Sequence, residues 1–412
     1  MNVWDGFAKD DLTMTHSSVT TNTLLGMVAV VAVASTLASF FSLLWVTRRR
    51  KNLPNHTPSV TIFKPLKGED EGLEDNLRSF FRLDYPVYQL IFGVADASDP
   101  AIRIVNKLLA EFPNQDAVLS VGTPAFGLNP KIENLAAMDH LRKHDVILIS
   151  DSNVRVRPSY LRETACYLAE PNVGLVSNIF VGVEEQQIGA VLENLQLNGF
   201  IAGGVAMAEL TGVTCVVGKS MMMPVQALAA AGGFAGVRNL LAEDQALGVR
   251  IRKAGYTLRL SHHVIENVNH SRGFKWFLNR HSRWYKIRRQ MALPAFIAEP
   301  MSNLAAVGVV WALSGESGIA WGGLLVLIGL GITRDALQTY WLRGSFPKFR
   351  HLIISPIKDL LLLPVWFDAI MNNRVHWRGH RFLVGRYTRL RSARASRSVR
   401  RRVRRVRRFR TP

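Results

Sequence analysis

The chain has 412 residues, a length that allows more than one domain. Its net charge of +20 accompanies 48% hydrophobic residues, and this pairing excludes a globally disordered protein, because disordered chains combine high charge with low hydrophobicity. Residues 389–412 contain 12 arginines and no acidic residue, which leaves a charge of +8 for the first 388 residues. Cys166 and Cys215 form no CxxC pair, which argues against a disulfide framework or a structural zinc site and indicates a reducing compartment.

The first element along the chain is an apolar segment at residues 23–46. These 24 positions carry no charge, and a helix of this length is long enough to cross a hydrocarbon core of about 30 Å. A cleaved signal peptide is the alternative, but Asp5, Asp10 and Asp11 stand where such a peptide has basic residues. The sequence therefore predicts an N-terminal tail at residues 1–22 and a transmembrane signal anchor at residues 23–46.

A basic run follows this segment directly, at residues 48–51. The positive-inside rule then places everything downstream in the cytoplasm and the amino terminus outside. We expect an integral membrane protein whose soluble domain is cytoplasmic, either at a bacterial inner membrane or at a Golgi or ER membrane facing the cytosol.

The next block, residues 59–272, alternates short apolar runs with helical periodicity. Strands are predicted at residues 60–64, 89–95, 117–121, 146–150 and 173–181. Helices are predicted at residues 72–82, 101–112, 131–143 and 158–170. This alternation indicates an α/β domain with a mainly parallel sheet. Ligands of such sheets bind outside the carboxyl ends of the strands, where Asp96 and Asp151 lie. The chain has no GxGxxG or P-loop lysine, which argues against dinucleotide binding and P-loop hydrolysis.

Two acidic motifs in this block allow a chemical and a structural interpretation. Asp151, followed by Ser152 and Asn153, can supply a carboxylate to a divalent cation that bridges two phosphates. The same triplet is also typical of a turn or a helix cap. Glu243 and Asp244 open a helical stretch, where acidic residues also stabilise the positive end of the helix dipole.

A basic helix is predicted at residues 273–290. Arg280, Arg283 and Trp284 have i, i+3 and i+4 spacing, so they share one helical face. Guanidinium groups suit a diphosphate, and an indole stacks on a sugar or a lipid head. The alternative is an amphipathic helix lying on anionic lipid, and the two interpretations are compatible.

A second apolar region covers residues 291–371, with candidate crossings at 292–313, 319–333 and 352–371. Each is interrupted by charge or proline, or is short. Two crossings and one interfacial segment would keep the Arg-rich tail, residues 389–412, on the cytoplasmic side, and we favour that arrangement. The tail is then expected to bind anionic lipid.

Seven motifs between residues 58 and 300 resemble, in their order, those of the ceramide glucosyltransferases, glycosyltransferase family 21, with the D, D, D, (Q/R)xxRW layout. They are Lys64-Pro65-Leu66-Lys67-Gly68, Leu83-Asp84-Tyr85-Pro86, Asp96 with Asp99-Pro100-Ala101-Ile102, Asn129-Pro130-Lys131, Asp151-Ser152-Asn153, Glu243-Asp244 and Arg280-x-x-Arg283-Trp284. The flanking membrane segments also fit this family.

This resemblance implies a GT-A type domain that inverts the anomeric centre and uses a UDP-sugar with Mn²⁺ or Mg²⁺. Position by position, it implies these roles: Asp96 for the uridine, Lys131 for the diphosphate region, Asp151 for the metal, Asp244 as general base, and Arg280, Arg283 and Trp284 for the diphosphate and the acceptor edge. Asn153 stands where many relatives of the fold have a second Asp, so metal ligation would rest on Asp151 alone.

The leading hypothesis is transfer of a hexose, glucose before others, from a UDP-sugar to a membrane lipid hydroxyl, with ceramide as the first candidate acceptor. Alternatives within the class are a hopanoid or diacylglycerol acceptor and glucuronate, galactose or N-acetylhexosamine as the sugar. A membrane-tethered binding protein that uses the Arg-rich tail is the alternative from another class. Nucleic acid is not an expected partner, because the tail has almost no aromatic residue beyond Phe409 for base stacking.

Overall fold

A computed structural model of the chain describes residues 4–49, 55–124, 126–315, 317–377 and 379–392, with the backbone alone described for residues 4–19. Most of the predicted Arg-rich tail, residues 393–412, lies outside the described residues.

The soluble block folds as an α/β domain around one eight-stranded sheet of order β3-β2-β1-β4-β7-β6-β8-β5. The strands are β1 Val60–Pro65, β2 Tyr88–Val94, β3 Ala117–Val121, β4 Val146–Ser150, β5 Val154–Arg155, β6 Val173–Val183, β7 Ser220–Pro224 and β8 Thr257–Val268. Four of the seven strand pairs are parallel, which confirms the mainly parallel α/β prediction. The antiparallel pairs all involve β5 or β7.

Helices cover both faces of the sheet and connect its strands. They are α2 Leu73–Phe81, α3 Ala101–Glu111, α4 Pro130–Asp139, α5 Tyr160–Ala165, α6 Ile188–Gln196, α7 Ala202–Thr211, α8 Val225–Ala230, α9 Gly233–Val237 and α10 Glu243–Lys253. The predicted strands and helices of this block are all present, with bounds that differ by a few residues. The sequence pattern does not predict β5, β7 or β8. Strand β5 has only two residues, the methionine-rich β7 lacks β-branched residues, and β8 contains polar and charged positions.

Strand register brings the functional edge of the sheet together. Strands β1 and β2 are buried along their whole length, as expected for parallel strands covered on both faces. Pro65 pairs with Gly93, and Phe63 pairs with Ile149, so the carboxyl ends of β2, β1 and β4 meet at one edge. Because β7 is antiparallel to β4, with Ser220 opposite Ser150, its first residue lies at this same edge.

The membrane region consists of an N-terminal helix and a group of helices after the α/β domain. They are α1 Trp4–Arg48, α11 Phe274–Met291, α12 Leu293–Ala298, α13 Leu304–Gly315, α14 Gly318–Arg343, α15 Phe349–Ile353 and α16 Ser355–Met371. Among the described residues, two stretches are long and apolar enough to cross a membrane, Thr20–Arg48 and Gly318–Arg343. A bent pair, Leu293–Ser302 with Leu304–Gly315, adds a third if it counts as one span.

Two predictions for this region differ from the structure in length. The residues predicted as an N-terminal tail are helical from Trp4, so α1 extends well before the predicted anchor. The predicted crossing at residues 319–333 continues past Arg334 to Arg343, which makes α14 long enough to span a bilayer.

Side-chain contacts fix the direction of the membrane helices. Near one end of α1, Asn22 donates to the Gly315 carbonyl and accepts from the Trp311 indole. Near the other end, the Trp341 indole donates to Thr47. Helices α1 and α14 therefore run in the same direction, and α13 runs in the opposite one.

The chain after α16 returns to the α/β domain as a three-stranded sheet of order β11-β10-β9. Its strands are β9 Arg374–Trp377, β10 His380–Val384 and β11 Leu390–Ser392. The Leu390 amide donates to the Asn239 carbonyl, and the Leu241 amide donates to the Thr388 carbonyl. Any membrane crossings between α11 and β9 therefore have to be even in number, and the favoured arrangement of two crossings meets this condition.

Helix α11 corresponds to the predicted basic helix at residues 273–290, and one of its faces is buried in the protein. Phe277, His281, Tyr285 and Lys286 are buried. The helix packs against α6 of the α/β domain and against α16 of the membrane region. It therefore links the two halves of the molecule.

Gly189 allows α6 to approach the segment that begins α11. A Cβ atom at this position would lie 2.2 Å from the Gly273 carbonyl oxygen and 2.4 Å from that of Arg272. We expect Gly189→Ala to destabilise the fold by about 1–3 kcal/mol, because backbone cannot yield as a flexible side chain would. Thermal unfolding of the detergent-solubilised protein measures this loss.

Gly204→Ala is the matched control, because Gly204 lies in helix α7 and its Cβ would meet no atom within 4 Å. This change is expected to leave the Tm unchanged or to raise it slightly. Equal Tm values for the two variants would contradict the close approach at Gly189.

Candidate active site

Asp151 lies at the centre of a group of lysines at the carboxyl edge of the sheet. Its carboxylate is 2.8 Å from the Lys131 ammonium and 3.2 Å from the Lys219 ammonium. Lys131 follows the Asn129 cap of α4, whose side chain accepts from the Lys131 and Ile132 amides. Lys219 directly precedes β7, and the β4–β7 register places it opposite Asp151. The backbone register therefore creates this cluster.

Lys64, on β1, contacts the backbone of Asp151 rather than its carboxylate. Its ammonium donates to the Asp151 carbonyl at 2.6 Å and to the Ser150 hydroxyl at 3.2 Å, and it lies over the Phe80 ring. Complete burial lowers the pKa of Lys64 well below its usual value, although Asp151 opposes this effect. Burial also lowers the pKa of Lys219, to about 8, again against the attraction of Asp151.

Asp244 is connected to this cluster through the backbone of Gly218. Its carboxylate accepts from the Gly218 amide at 2.8 Å, and the Gly218 carbonyl accepts from Lys131 at 3.3 Å. The enclosed position, together with repulsion from neighbouring Glu243, raises the pKa of Asp244 to about 6. A carboxyl group with this pKa can take up a proton near neutral pH, as a general base must.

Glu243 and Asn129 hold the start of α10 against α4. The Glu243 carboxylate is 3.3 Å from the Lys131 ammonium and accepts from the Asn129 amide at 3.1 Å. Burial opposes the charged form of Lys131, but Asp151 and Glu243 more than offset this and raise its pKa. Lys131 therefore stays charged between the two acidic motifs that the sequence analysis singled out.

Arg280 on α11 is bound by a carboxylate that the sequence reading did not identify. Its guanidinium is 2.6 Å from Glu193, which is fully buried on α6, and it lies over the rings of Trp276 and Trp284 at 5.2 and 4.6 Å. The His281 imidazole lies 2.9 Å from the other Glu193 oxygen. Burial opposes ionisation of Glu193, yet Arg280 and His281 hold its pKa below the usual value.

The remaining predicted residues are only partly brought together. Trp284 is half-buried beside Arg280, whereas Arg283 faces the Trp377 ring at 5.9 Å on the C-terminal sheet. Asp96 is exposed after β2, and its carboxylate accepts from the Ser98 amide, which lowers its pKa. Thus Lys131, Asp151 and Asp244 form one cluster, Arg280 and Trp284 form a neighbouring one, and Arg283 and Asp96 have separate contacts.

The oxygen atoms around Asp151 are compatible with a magnesium or manganese ion that takes most of its ligands from a substrate diphosphate and water. Asp151 supplies a carboxylate. The amide oxygen of Asn153 accepts from the Lys219 ammonium at 2.7 Å, and the same ammonium pairs with the Asp151 carboxylate. Among the described residues, no group of three or more His, Cys, Asp or Glu side chains is placed to hold a metal ion. Metal binding through Asp151 therefore stays a prediction.

Three functional candidates carried too weak a sequence signal to be assigned a role. Lys219 stands between Gly218 and Ser220 in no recognisable motif, and only the antiparallel pairing of β7 places it at Asp151. Lys64 belongs to one of the seven motifs, but its buried contact with the Asp151 backbone depends on strand register, which the motif does not show. Glu193 is the only carboxylate in the mostly apolar helix α6. An isolated acidic residue among apolar ones is the one sequence feature that could have indicated its role.

Comparison with known proteins gives a family model that matches residues 26–390, described as Glycosyl transferase family 21. Ceramide glucosyltransferase 3 of Caenorhabditis elegans is 28% identical over 342 residues, covering 79% of this chain and 72% of that protein. Ceramide glucosyltransferase 1 of the same organism is 26% identical and covers 90% of this chain and 80% of its own length. A mannosyltransferase of Pyrobaculum calidifontis, solved with GDP-Man and Mn²⁺, is 17% identical and covers 83% of this chain and 99% of its own, with a TM-score of 0.48.

Glu193 provides a test of the buried charge pair at this site. We expect Glu193→Gln to destabilise the protein by about 3 kcal/mol or more, because it leaves the Arg280 guanidinium half-buried without its counter-charge. The Tm of the variant, measured in the same detergent and at the same scan rate as the wild type, reports the loss.

Glu74→Gln is the matched control, since Glu74 pairs with Arg78 at the surface and Arg78 has a second carboxylate partner in Glu111. Its effect is expected to stay within about 1 kcal/mol. A Glu193→Gln shift no larger than that of Glu74→Gln would show that the buried pair contributes little.

Proposed function

Because the chain belongs to glycosyl transferase family 21, and is therefore a sugar-transferring enzyme, we propose that it transfers glucose from UDP-glucose to a hydroxyl of ceramide with inversion of the anomeric centre. The observation that carries the proposal is Asp244, a carboxyl group with a pKa of about 6 placed beside a cluster of cationic side chains. The names of the curated relatives favour ceramide as the acceptor.

The donor half of the proposal rests on the cationic groups. Lys131 and Lys219 flank Asp151. Arg280 is close enough to Lys219 for its positive charge to lower the pKa of Lys219. These groups would bind the diphosphate of the donor and stabilise the charge that develops on the departing UDP. Asp96, at the exposed edge beyond β2, is proposed to contact the uridine.

The transfer step uses Asp244 as the base. Its carboxylate takes the proton of the acceptor hydroxyl as the hydroxyl oxygen forms a bond to the anomeric carbon. The bond from that carbon to the diphosphate oxygen breaks on the opposite side, and UDP leaves with the electron pair. One displacement of this kind inverts the anomeric configuration.

A divalent cation is proposed to bind at Asp151, with Asn153 nearby. When bound, it would neutralise part of the diphosphate charge. With or without this ion, Lys131, Lys219 and Arg280 are proposed to hold and orient the donor.

The membrane arrangement is part of the proposal. The basic residues after α1 favour a cytoplasmic α/β domain, with the amino terminus on the other side. The C-terminal sheet packs on the α/β domain, so the tail that follows it begins on the cytoplasmic side as well. The edge that carries Asp244 would then take its nucleotide sugar from the cytosol and its lipid from the bilayer.

Asp244→Asn tests the proposed base. The purified full-length enzyme, with UDP-glucose, ceramide and Mn²⁺ or Mg²⁺, is expected to form glucosylceramide, detected by mass spectrometry. The variant should lose about 10²- to 10⁴-fold in kcat because its amide cannot accept the proton. Binding of UDP, measured by calorimetry, should be nearly unchanged.

Asp116→Asn, an exposed surface position paired with Lys143, is the matched control and should keep full activity. Loss of both turnover and UDP binding in Asp244→Asn would assign Asp244 a structural role. If the wild-type enzyme glycosylates no ceramide, a lipid extract from expressing cells identifies another acceptor or refutes glycosyl transfer to lipid.

The pKa of Asp244 predicts the acidic limb of the pH profile. A base works only when ionised, so kcat/KM should fall about tenfold per pH unit below pH 6 and level off above it. Glu243→Gln removes the neighbouring negative charge that helps to raise this pKa, so the acidic limb should move to lower pH. An unchanged or upward-shifted limb in this variant would show that Asp244 does not control the profile.

A further inference from the structure

We propose that residues 344–353, which follow helix α14 and include α15, form a binding surface for an anionic phospholipid of the membrane leaflet nearest the α/β domain. Apolar side chains of this segment enter the lipid, and two basic side chains bind the phosphate of its head. Sugar transfer itself does not require such a surface, so the inference goes beyond the proposed function. The residues concerned are Phe346, Phe349 and Ile353 for the apolar part, and Lys348 and Arg350 for the basic part.

Helix α15 has the opposite polarity to a helix on a water-exposed surface. Phe349 and Ile353 are four residues apart, so they share one helical face, and they are 78% and 56% exposed. His351 is buried, and its imidazole lies 3.7 Å from the Glu185 carboxylate. In a water-soluble protein the aromatic side chain would face the core and the polar one the solvent. The reversal is explained if lipid covers the outer face.

The segment begins at the level of the membrane surface. Tyr340 lies about 33 Å along α14 from Gly318, just beyond the length of a hydrocarbon core of about 30 Å. The neighbouring Trp341 donates to Thr47, at the end of α1 that precedes the basic run. Tyrosine and tryptophan are enriched at this depth of a membrane protein. The chain that leaves α14 therefore emerges at the leaflet nearest the α/β domain.

Phe346 is held in position although it is 56% exposed. Gly344 ends α14 with a φ of 76°, and its amide donates to the Tyr340 carbonyl at 2.8 Å. The turn stacks the Phe346 ring on the Tyr340 ring, with centroids 4.4 Å apart. An aromatic side chain that is already fixed loses little conformational freedom when it enters lipid. The turn thus prepares Phe346 for insertion.

Two basic side chains of the segment select the kind of lipid. Lys348 and Arg350 are exposed, neither pairs with a carboxylate of the described residues, and residues 336–358 contain no acidic residue. Burial lowers the pKa of His351, the Glu185 carboxylate opposes this, and the charges of Arg350 and Lys348 lower the pKa further. A lipid phosphate would neutralise these charges, and an anionic head adds no cation of its own. The surface therefore favours anionic over zwitterionic phospholipid.

Glu185 fixes the segment to the α/β domain. Its buried carboxylate is 3.0 Å from the Arg343 guanidinium and accepts from the Asn194 amide at 2.8 Å. Arg343 ends α14 and His351 lies on α15, so one carboxylate contacts both sides of the turn between these helices. The surface therefore has a fixed position relative to the end of β6, and a lipid bound there would hold the domain against the membrane.

Photo-cross-linking in vesicles tests this surface. In the full-length protein, p-benzoyl-phenylalanine replaces Phe349, and the protein is reconstituted in vesicles of equal parts phosphatidylcholine and phosphatidylglycerol. Mass spectrometry of the irradiated protein should find lipid adducts, with phosphatidylglycerol enriched about three- to tenfold over phosphatidylcholine. In the same protein with Lys348→Gln and Arg350→Gln, lipid adducts should persist while the enrichment is lost. The Arg-rich tail is present in both proteins, so its attraction for anionic lipid cancels.

Two matched controls accompany this comparison. The same photoreactive residue at Val121 should give no lipid adduct, because Val121 is 48% exposed but ends β3, at the opposite edge of the sheet from β6 and β8, which pack against α1. Arg103→Gln with Lys107→Gln removes an equal charge from the exposed face of α3, where both residues have surface carboxylate partners. This change should leave the enrichment at position 349 as it is.

The outcomes separate the parts of the proposal. Adducts to protein alone at position 349, or none at all, would overturn the lipid surface. Equal labelling of the two lipids, or an enrichment that survives Lys348→Gln with Arg350→Gln, would overturn the binding of an anionic head by these two residues. None of these measurements uses sugar transfer, so a failure of the proposed function leaves this test intact.

Discussion

The pairing of Asp151 with Lys131 and Lys219 is the interaction on which the active edge depends. It joins the end of β4, the first turn of α4 and the start of β7, three segments that are distant in sequence. Both lysines are buried, and buried charges persist only when each has a partner, so the positions of these segments constrain one another. In the proposed complex, the same lysines would bind the diphosphate of the donor in addition to Asp151. The edge therefore stabilises the fold and is also the proposed binding site.

The second constraint is the contact between α6 and α11, which couples the α/β domain to the membrane helices. Glu193 fixes Arg280 and His281 on one side, and the small residue Gly189 allows the two segments to meet at the other. Beyond this contact lie the buried charge pairs of α14 and α16. Helices α6 and α11 therefore connect the edge that carries the proposed donor site to the helices that are candidates for crossing the membrane.

The predictability of individual residues follows from the range of their interactions. Strands β1 to β4 and helix α10 were predictable because apolar periodicity is a local property. Asp151 and Asp244 stood out because each follows or begins a recognisable element. Lys219 and Glu193 carry no such signal. Their partners, Asp151 and Arg280, lie 68 and 87 residues away in sequence, and no local pattern indicates pairing over that distance. The predicted role of Arg283 gains no support from its position against Trp377.

The sequence by itself determined the α/β class, the apolar anchor, the basic segment that favours one orientation, and the motif order that indicated the family. Hydrophobic periodicity, charge and motif spacing are all readable along one chain. The tertiary structure decided which charges meet, that one face of α11 packs between α6 and α16, and that the C-terminal sheet returns to contact the chain before α10. It also raised Asp244 to a pKa of about 6, because desolvation and repulsion depend on burial and distance, which arise only when distant segments pack together.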